Sequence, residues 1–338
     1  MKTALLITAY RSPSQFGRLV RAVSGARMDC FVHIDRKSDI APFKAAVRGL
    51  DNVFFVIDRY SVALEHSSHV LAILAAARLA MRHGSYSYFV SLTGQCYPLA
   101  SNDEISGTLD ALYPQEIIDS RVCKPGCWCA GWGRWQKLET SRAIIQKWLG
   151  KDRYETWHGK LARAPLNLIE MVLTLFSGRP KDRLERLGYR YSAGSHMWML
   201  SDHAMKFILE RAENDRALMK IFRGISTPEE SFFQTVLTAA EFTGTRAKFE
   251  KHHISIDHGL NRMERSDILR FICDARGTVN NLRHPLVVTM QEREFIERSR
   301  ALFGRKFDET VDHAILDFID VLRALPSQER NSLASRPL

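Results

Sequence analysis

TALLITA, Thr3 to Ala9, is followed by SQFGRLVRAVS, Ser14 to Ser24, and then by DCFVHI, Asp29 to Ile34. The outer two pieces are short apolar runs, whereas the middle one is longer and carries helical spacing. The alternation continues with strand-like runs over Val53 to Ile57 and Tyr88 to Leu92, and helical patterns over Ala41 to Leu50 and His66 to His83. Strand and helix in strict turn imply an α/β fold, a Rossmann-like, mainly parallel sheet flanked by helices. Ligands in such sheets sit beyond the carboxyl ends of the strands, so the loops after Ala9, Ile34 and Leu92 are site candidates. No Gly-x-Gly-x-x-Gly follows the first strand and no Gly-Lys-Ser/Thr phosphate loop occurs, which argues against dinucleotide oxidoreductases and P-loop NTPases.

A chain of 338 residues with 45% hydrophobic composition can bury a large core in one or two domains. The apolar run at the start is too short for a signal-peptide core or a membrane span, and six cysteines at this length suit reduced thiols. A cytoplasmic location is expected on these grounds. Cys123, Cys127 and Cys129 cluster without a fourth ligand at zinc spacing, so thiols are expected there and no metal site. The formal charge of +10 favours an anionic partner: a nucleotide, or peripheral contact with an anionic membrane. The basic residues are dispersed and no nucleic-acid signature is present, so nucleic acid is not expected as a partner.

The stretch from Cys123 to Tyr191 is rich in tryptophan and arginine. Helices are expected over Ser141 to Leu149 and Leu166 to Phe176, the second started by Pro165. Trp128, Trp132, Trp135, Trp148 and Trp157 suit either a sugar-stacking surface or core filling. Further on, the pattern gives a strand over Ser195 to Leu200, a helix over Asp202 to Glu213, a strand near Leu286 to Thr289, a helix over Gln291 to Leu302 and a final helix to about Leu325.

TPEESFFQTVL, Thr227 to Leu237, reads as a helix start with two carboxylates in front of an aromatic pair. Thr227 can cap, Pro228 suits the first helical position, and Phe232, Phe233, Val236, Leu237 and Ala240 bury one face. Held on a rigid first turn, a carboxylate can take a proton from a hydroxyl. The competing local reading is a capping box, in which Glu230 only satisfies a backbone N–H.

Five stretches carry a resemblance: FVHIDRKSD (Phe31 to Asp39), YFVSLTGQCYPLAS (Tyr88 to Ser101), GSHMWMLS (Gly194 to Ser201), TPEESFFQTVL, and LFGRKFD (Leu302 to Asp308). In this order the chain resembles glycosyltransferase family 14, the core-2/I-branching β-1,6-N-acetylglucosaminyltransferase and protein xylosyltransferase group. The resemblance implies a single GT-A-type domain over 1–325, with a nucleotide-binding half (1–120), an acceptor and catalytic half (121–325) and a frayed tail (326–338). It also implies inverting transfer from a UDP-sugar, N-acetylglucosamine before xylose, to a hydroxyl of a glycan or other acceptor. Glu230 falls at the catalytic base, and Glu229 is left as a solvated charge. Arg305 and Lys306 fall at the donor diphosphate with Arg283 as a third candidate; Asp35, Lys37, Thr8 and Tyr10 lie at the nucleotide-side loops. Ser195, His196 and Trp198 lie at the acceptor or transferred sugar.

The loop after the fourth strand, Thr93-Gly94-Gln95-Cys96, lacks the Asp-x-Asp carboxylates that hold a metal in most GT-A enzymes. Metal-independent transfer without a cofactor is therefore expected, the cationic pair taking the metal's place. The alternative for that pair is a solvated turn closing the helix Gln291 to Leu302. The chain departs from the family at Leu64, Glu65 and His66, where Trp-Gly-Gly is usual, at Cys96 for aspartate, and at His196 for glutamine or aspartate. His33, His66 and His69 have weaker claims, and ordinary structural roles are expected for most of them. A nucleotidyltransferase and a UDP- or sugar-binding module without activity are the rival readings; the acceptor and oligomeric state lie beyond the sequence.

Overall fold

The computed structural model describes residues 1–63, 66–122, 156–177, 179–225, 227–244, 271–272, 287–299 and 301–326, with isolated positions 145, 148, 149, 153 and 329. The strands are β1 (Thr3–Ala9), β2 (Met28–Ile34), β3 (Val53–Phe55), β4 (Tyr88–Thr93), β5 (Tyr97–Pro98), β6 (Ile117–Ile118), β7 (Arg121–Val122), β8 (Ser192–Ala193), β9 (Trp198–Ser201), β10 (Phe271–Ile272) and β11 (Phe303–Gly304). Six of them form one sheet in the order β3-β2-β1-β4-β9-β6. The first four are mutually parallel; β9 runs antiparallel to β4, and β6 antiparallel to β9. The sheet is thus mainly parallel with an antiparallel edge, as expected of a GT-A-like fold.

Side chains of successive strand residues point to opposite faces, and here each face meets its own core. Leu5, Ile7 and Ala9 of β1 pack with Cys30 and Val32 of β2, with Phe16, Leu19, Val20 and Val23 of α1 (Pro13–Val23) and with Phe43 of α2 (Ala41–Ala46). Ala4 and Leu6 turn the other way, toward Phe31 and the Val70, Ile73, Leu74 and Ala77 stripe of α3 (Ser68–His83). The chain is therefore layered helix, sheet, helix, and the loops at the carboxyl ends of β1, β2 and β4 share one edge. Because β9 is antiparallel to β4, with Val90 opposite Met199, the residues just before β9 lie at that same edge. This reversal carries His196 to that edge, where its carbonyl accepts from Ser91 Oγ.

Several expected elements differ. The helix expected to start at Pro165 runs from Trp157 to Ser177 with Pro165 inside it, since proline removes one N–H of the ladder without ending it here. The glutamate segment is not one helix: Pro228–Glu230 is a 3-10 turn and the helix is Phe232–Val236. The strand expected near Leu286 is not seen at Val287 to Thr289, where Thr289 caps the following turn in a box with Glu292. The next helix, Arg293–Arg298, ends well before Arg305, which removes the reading of Arg305 and Lys306 as its last turn. Of the helix expected over Ser141 to Leu149, positions 145, 148 and 149 are described and are helical, whereas the cluster Cys123, Cys127 and Cys129 lies outside the described residues. Among the described residues, no helix is long and apolar enough to cross a membrane.

Glu116, beside the edge strand β6, is buried and accepts from Ser201 N–H at 2.8 Å. Burial pushes its carboxyl from an ordinary value of 4.5 to about 7. The folded chain therefore holds a proton that the unfolded chain has released between those two values. Its stabilisation is full below pH 4.5 and drains as pH rises through 7, by on the order of 3 kcal/mol. Thermal melts at pH 5 and pH 8 are expected to show that fall, and Glu116→Gln is expected to flatten it; equal pH slopes in the two proteins would refute the assignment.

Candidate active site

The turn carrying Glu229 and Glu230 is fixed from both sides. Gly194 N–H donates to Glu230 O at 2.8 Å, and Gln234 Nε2 donates to Ser195 O at 2.7 Å. Thr235 Oγ1 closes the arrangement, accepting from Ser192 N–H and donating to Ser192 O. Only glycine serves at 194, where a Cβ would stand 1.9 Å from Asp119 O. Below the turn, Phe232 and Phe233 are fully buried, so the carboxylates project from a packed base. Thr227 takes a left-handed conformation (φ 52°) and makes no side-chain cap, so the capping box is not formed.

Two short chains of contact meet here. Arg305 Nη1 lies 3.2 Å from His196 Nε2, and His196 Nδ1 lies 3.7 Å from Glu230 Oε1. On the other side, Thr8 Oγ1 lies 3.3 Å from His69 Nε2, and His69 Nδ1 lies 3.9 Å from Glu229 Oε1. The two imidazole rings are 5.9 Å apart. Burial, with Arg305 and His69 beside it, holds the His196 imidazole well below its ordinary pKa, so it is neutral. The side chain of Glu230 is 25% exposed against 12% for Glu229. Glu230 is thus the more accessible carboxylate, and Glu229 is not the solvated charge expected of it: its Oε2 is buried.

Arg305 reaches this edge because Phe303–Gly304 pairs with Tyr97–Pro98. Val288 N–H donates to Lys306 O at 2.8 Å and Phe307 N–H to Gln95 O at 2.9 Å. Gln15, buried on α1, donates to Gly94 O and Phe307 O and accepts from Glu309 N–H, so one side chain clamps the β4 loop against the C-terminal loop.

The other expected residues are placed as follows. Asp35 Oδ1 accepts from Lys37 N–H at 2.9 Å and orders the loop after β2, while Lys37 Nζ donates to Val62 O at 2.6 Å. Tyr10 is 56% exposed at the end of β1, its carbonyl accepting from Ser38 Oγ. Ser195 Oγ accepts from Met197 N–H, setting the bend before β9. Trp198 is a correction: it is 1% exposed and packs on Phe233 at 4.7 Å, so it belongs to the core and not to a sugar surface. Strand alternation accounts for this, since Trp198 points to the face that α3 covers. Arg283 lies outside the described residues. Cys96 is buried with its thiol pushed up by burial, and its sulfur accepts from Thr93 N–H. Among the described residues, no three His, Cys, Asp or Glu side chains converge as a metal-binding group.

His69 is the residue that sequence reasoning missed at this edge. His33 does hold the structural role expected: its Nε2 accepts from Tyr60 N–H, and burial lowers its pKa to about 4. The signal available for His69 was its place in the first turn of α3, just after the departure at Leu64, Glu65 and His66.

A mainly parallel sheet flanked by helices, with an antiparallel edge, is the architecture of a GT-A-like fold. The chain belongs to the Core-2/I-Branching enzyme family, whose model matches residues 3–274. It is also similar to the beta-glucuronosyltransferase GlcAT14B of Arabidopsis thaliana, 22% identical over 304 residues, covering 86% of this chain and 58% of the relative. The chain thus spans less than two thirds of that relative's length.

Proposed function

We propose that this chain is an inverting, metal-independent glycosyltransferase that moves one monosaccharide from a UDP-sugar to a hydroxyl group of a glycan. The supporting observation is that Glu230 and Arg305 stand on the two sides of one imidazole, at 3.7 and 3.2 Å, instead of on separate surfaces. In a single displacement, Glu230 takes the acceptor proton as the acceptor oxygen bonds to the anomeric carbon. The bond from that carbon to the diphosphate oxygen breaks, and UDP leaves with the electron pair. Attack and departure on opposite faces invert the centre. Arg305 and Lys306 meet the charge growing on the diphosphate, which is the other end that needs help. Asp35, Lys37, Thr8 and Tyr10 border the place for the nucleotide at the ends of β1 and β2.

N-acetylglucosamine is the first donor to test and xylose the second; the relative named a glucuronosyltransferase adds UDP-glucuronic acid to the set. UDP release from each donor, with and without EDTA, tests the reading. Turnover of one donor is expected to stay within two-fold of its untreated rate in EDTA. Strict manganese dependence would reject metal independence, and UDP binding without turnover of any donor would favour a binding module.

A further inference from the structure

We propose that His196 is a positioning residue that ties the carboxylate of Glu230 to the guanidinium of Arg305. This rests on the reading of Glu230 as the base. A guanidinium can only donate, so His196 Nε2 beside Arg305 Nη1 must present its lone pair. The ring proton then sits on Nδ1, which faces Glu230 Oε1. At 3.7 Å this second contact is longer than a hydrogen bond; such contacts at catalytic carboxylates tighten when substrate binds.

The backbone aims the ring. Ser91 Oγ donates to His196 O at 3.0 Å, and Gln234 holds Ser195 O on one side while Ser195 Oγ takes Met197 N–H on the other. The residue is 9% exposed, so the imidazole has little room to swing. The groups facing it are Glu230 from the 3-10 turn, Arg305 from the loop after β11, and His69 from α3. One neutral ring therefore spans the protein groups that serve the two ends of the displacement. A glutamine amide can likewise accept at one atom and donate at the other, so the requirement here is for a bidentate neutral bridge.

The test compares kcat, donor KM and UDP affinity of the full chain with those of His196→Ala, His196→Gln, Arg305→Ala and the His196→Ala/Arg305→Ala pair, using the donor that turns over. A misplaced base costs about 10²-fold, and that loss in kcat is expected for His196→Ala with donor KM changed only a few-fold. His196→Gln is expected to recover at least about ten-fold of it, and the double variant to lose less than the product of its parents, since contacting residues are non-additive. Should His196→Ala melt below the assay temperature, His196→Asn, too short to reach both partners, replaces it. A kcat within three-fold of the parent, no rescue by glutamine, or a multiplicative double variant each overturns the positioning role. Glu230→Gln is measured alongside: if it abolishes turnover while His196→Ala does not, the bridge alone fails, and if it retains turnover, the base assignment fails and takes the bridge with it.

Discussion

Glu230→Gln is expected to lower kcat by about 10²- to 10⁴-fold while UDP affinity stays within two-fold, because a general base contributes that range and makes no contact with the leaving group. Glutamine keeps the shape of glutamate and an oxygen facing His196 Nδ1, and the main-chain carbonyl that takes Gly194 N–H is untouched. The substitution therefore removes basicity and little else. Glu229→Gln is the internal control. Its carboxylate is nearly as close to an imidazole, 3.9 Å from His69, but it is more deeply buried and is expected to lose less than about ten-fold. Paired measurement of kcat by UDP release and of UDP binding by calorimetry decides the matter: near-normal turnover in Glu230→Gln, or a larger loss in Glu229→Gln, moves the base away from Glu230.

The sheet was legible because its physics is local. Apolar runs such as Thr3 to Ala9 and Tyr88 to Leu92 have two buried faces, and the structure bears this out with alternate residues in separate cores. The antiparallel entry of β9 was not legible, since nothing in Gly194 to Ser201 encodes strand direction; yet that reversal is what carries His196 to the edge. Glu230 was ambiguous locally, because a threonine three residues before a glutamate reads equally as a cap. Only the left-handed Thr227 and the pull of Gly194 on the Glu230 carbonyl resolve it in favour of a free-standing turn. Trp198 misled because the resemblance puts the whole stretch Gly194 to Ser201 at the sugar, whereas its strand phase sends it inward against Phe233. His69 was overlooked for a related reason: its partners, Thr8 and Glu229, are 61 and 160 positions away, and no spacing rule joins them.

At the cationic end, Arg305→Ala is expected to cost about 10²- to 10³-fold in kcat/KM, the range for removing one donor to developing negative charge. Lys306→Ala is expected to weaken UDP binding about ten-fold, with a smaller effect on kcat. The asymmetry follows from chemistry: arginine offers a planar fork that matches two phosphate oxygens, and lysine a movable point charge. Arg305 is held in place, its loop pinned by Phe303–Gly304 on β5 and by the Gln95 carbonyl, and its Nη1 against His196. Arg305→Lys separates charge from geometry. It keeps the cation but cannot both bridge to His196 and fork a diphosphate, so UDP binding should fall only a few-fold while kcat falls nearly as far as in alanine. If Arg305→Lys restored full turnover, the guanidinium would be acting as charge alone. If neither Arg305→Ala nor Lys306→Ala changed UDP affinity or turnover, the diphosphate would have to be held elsewhere.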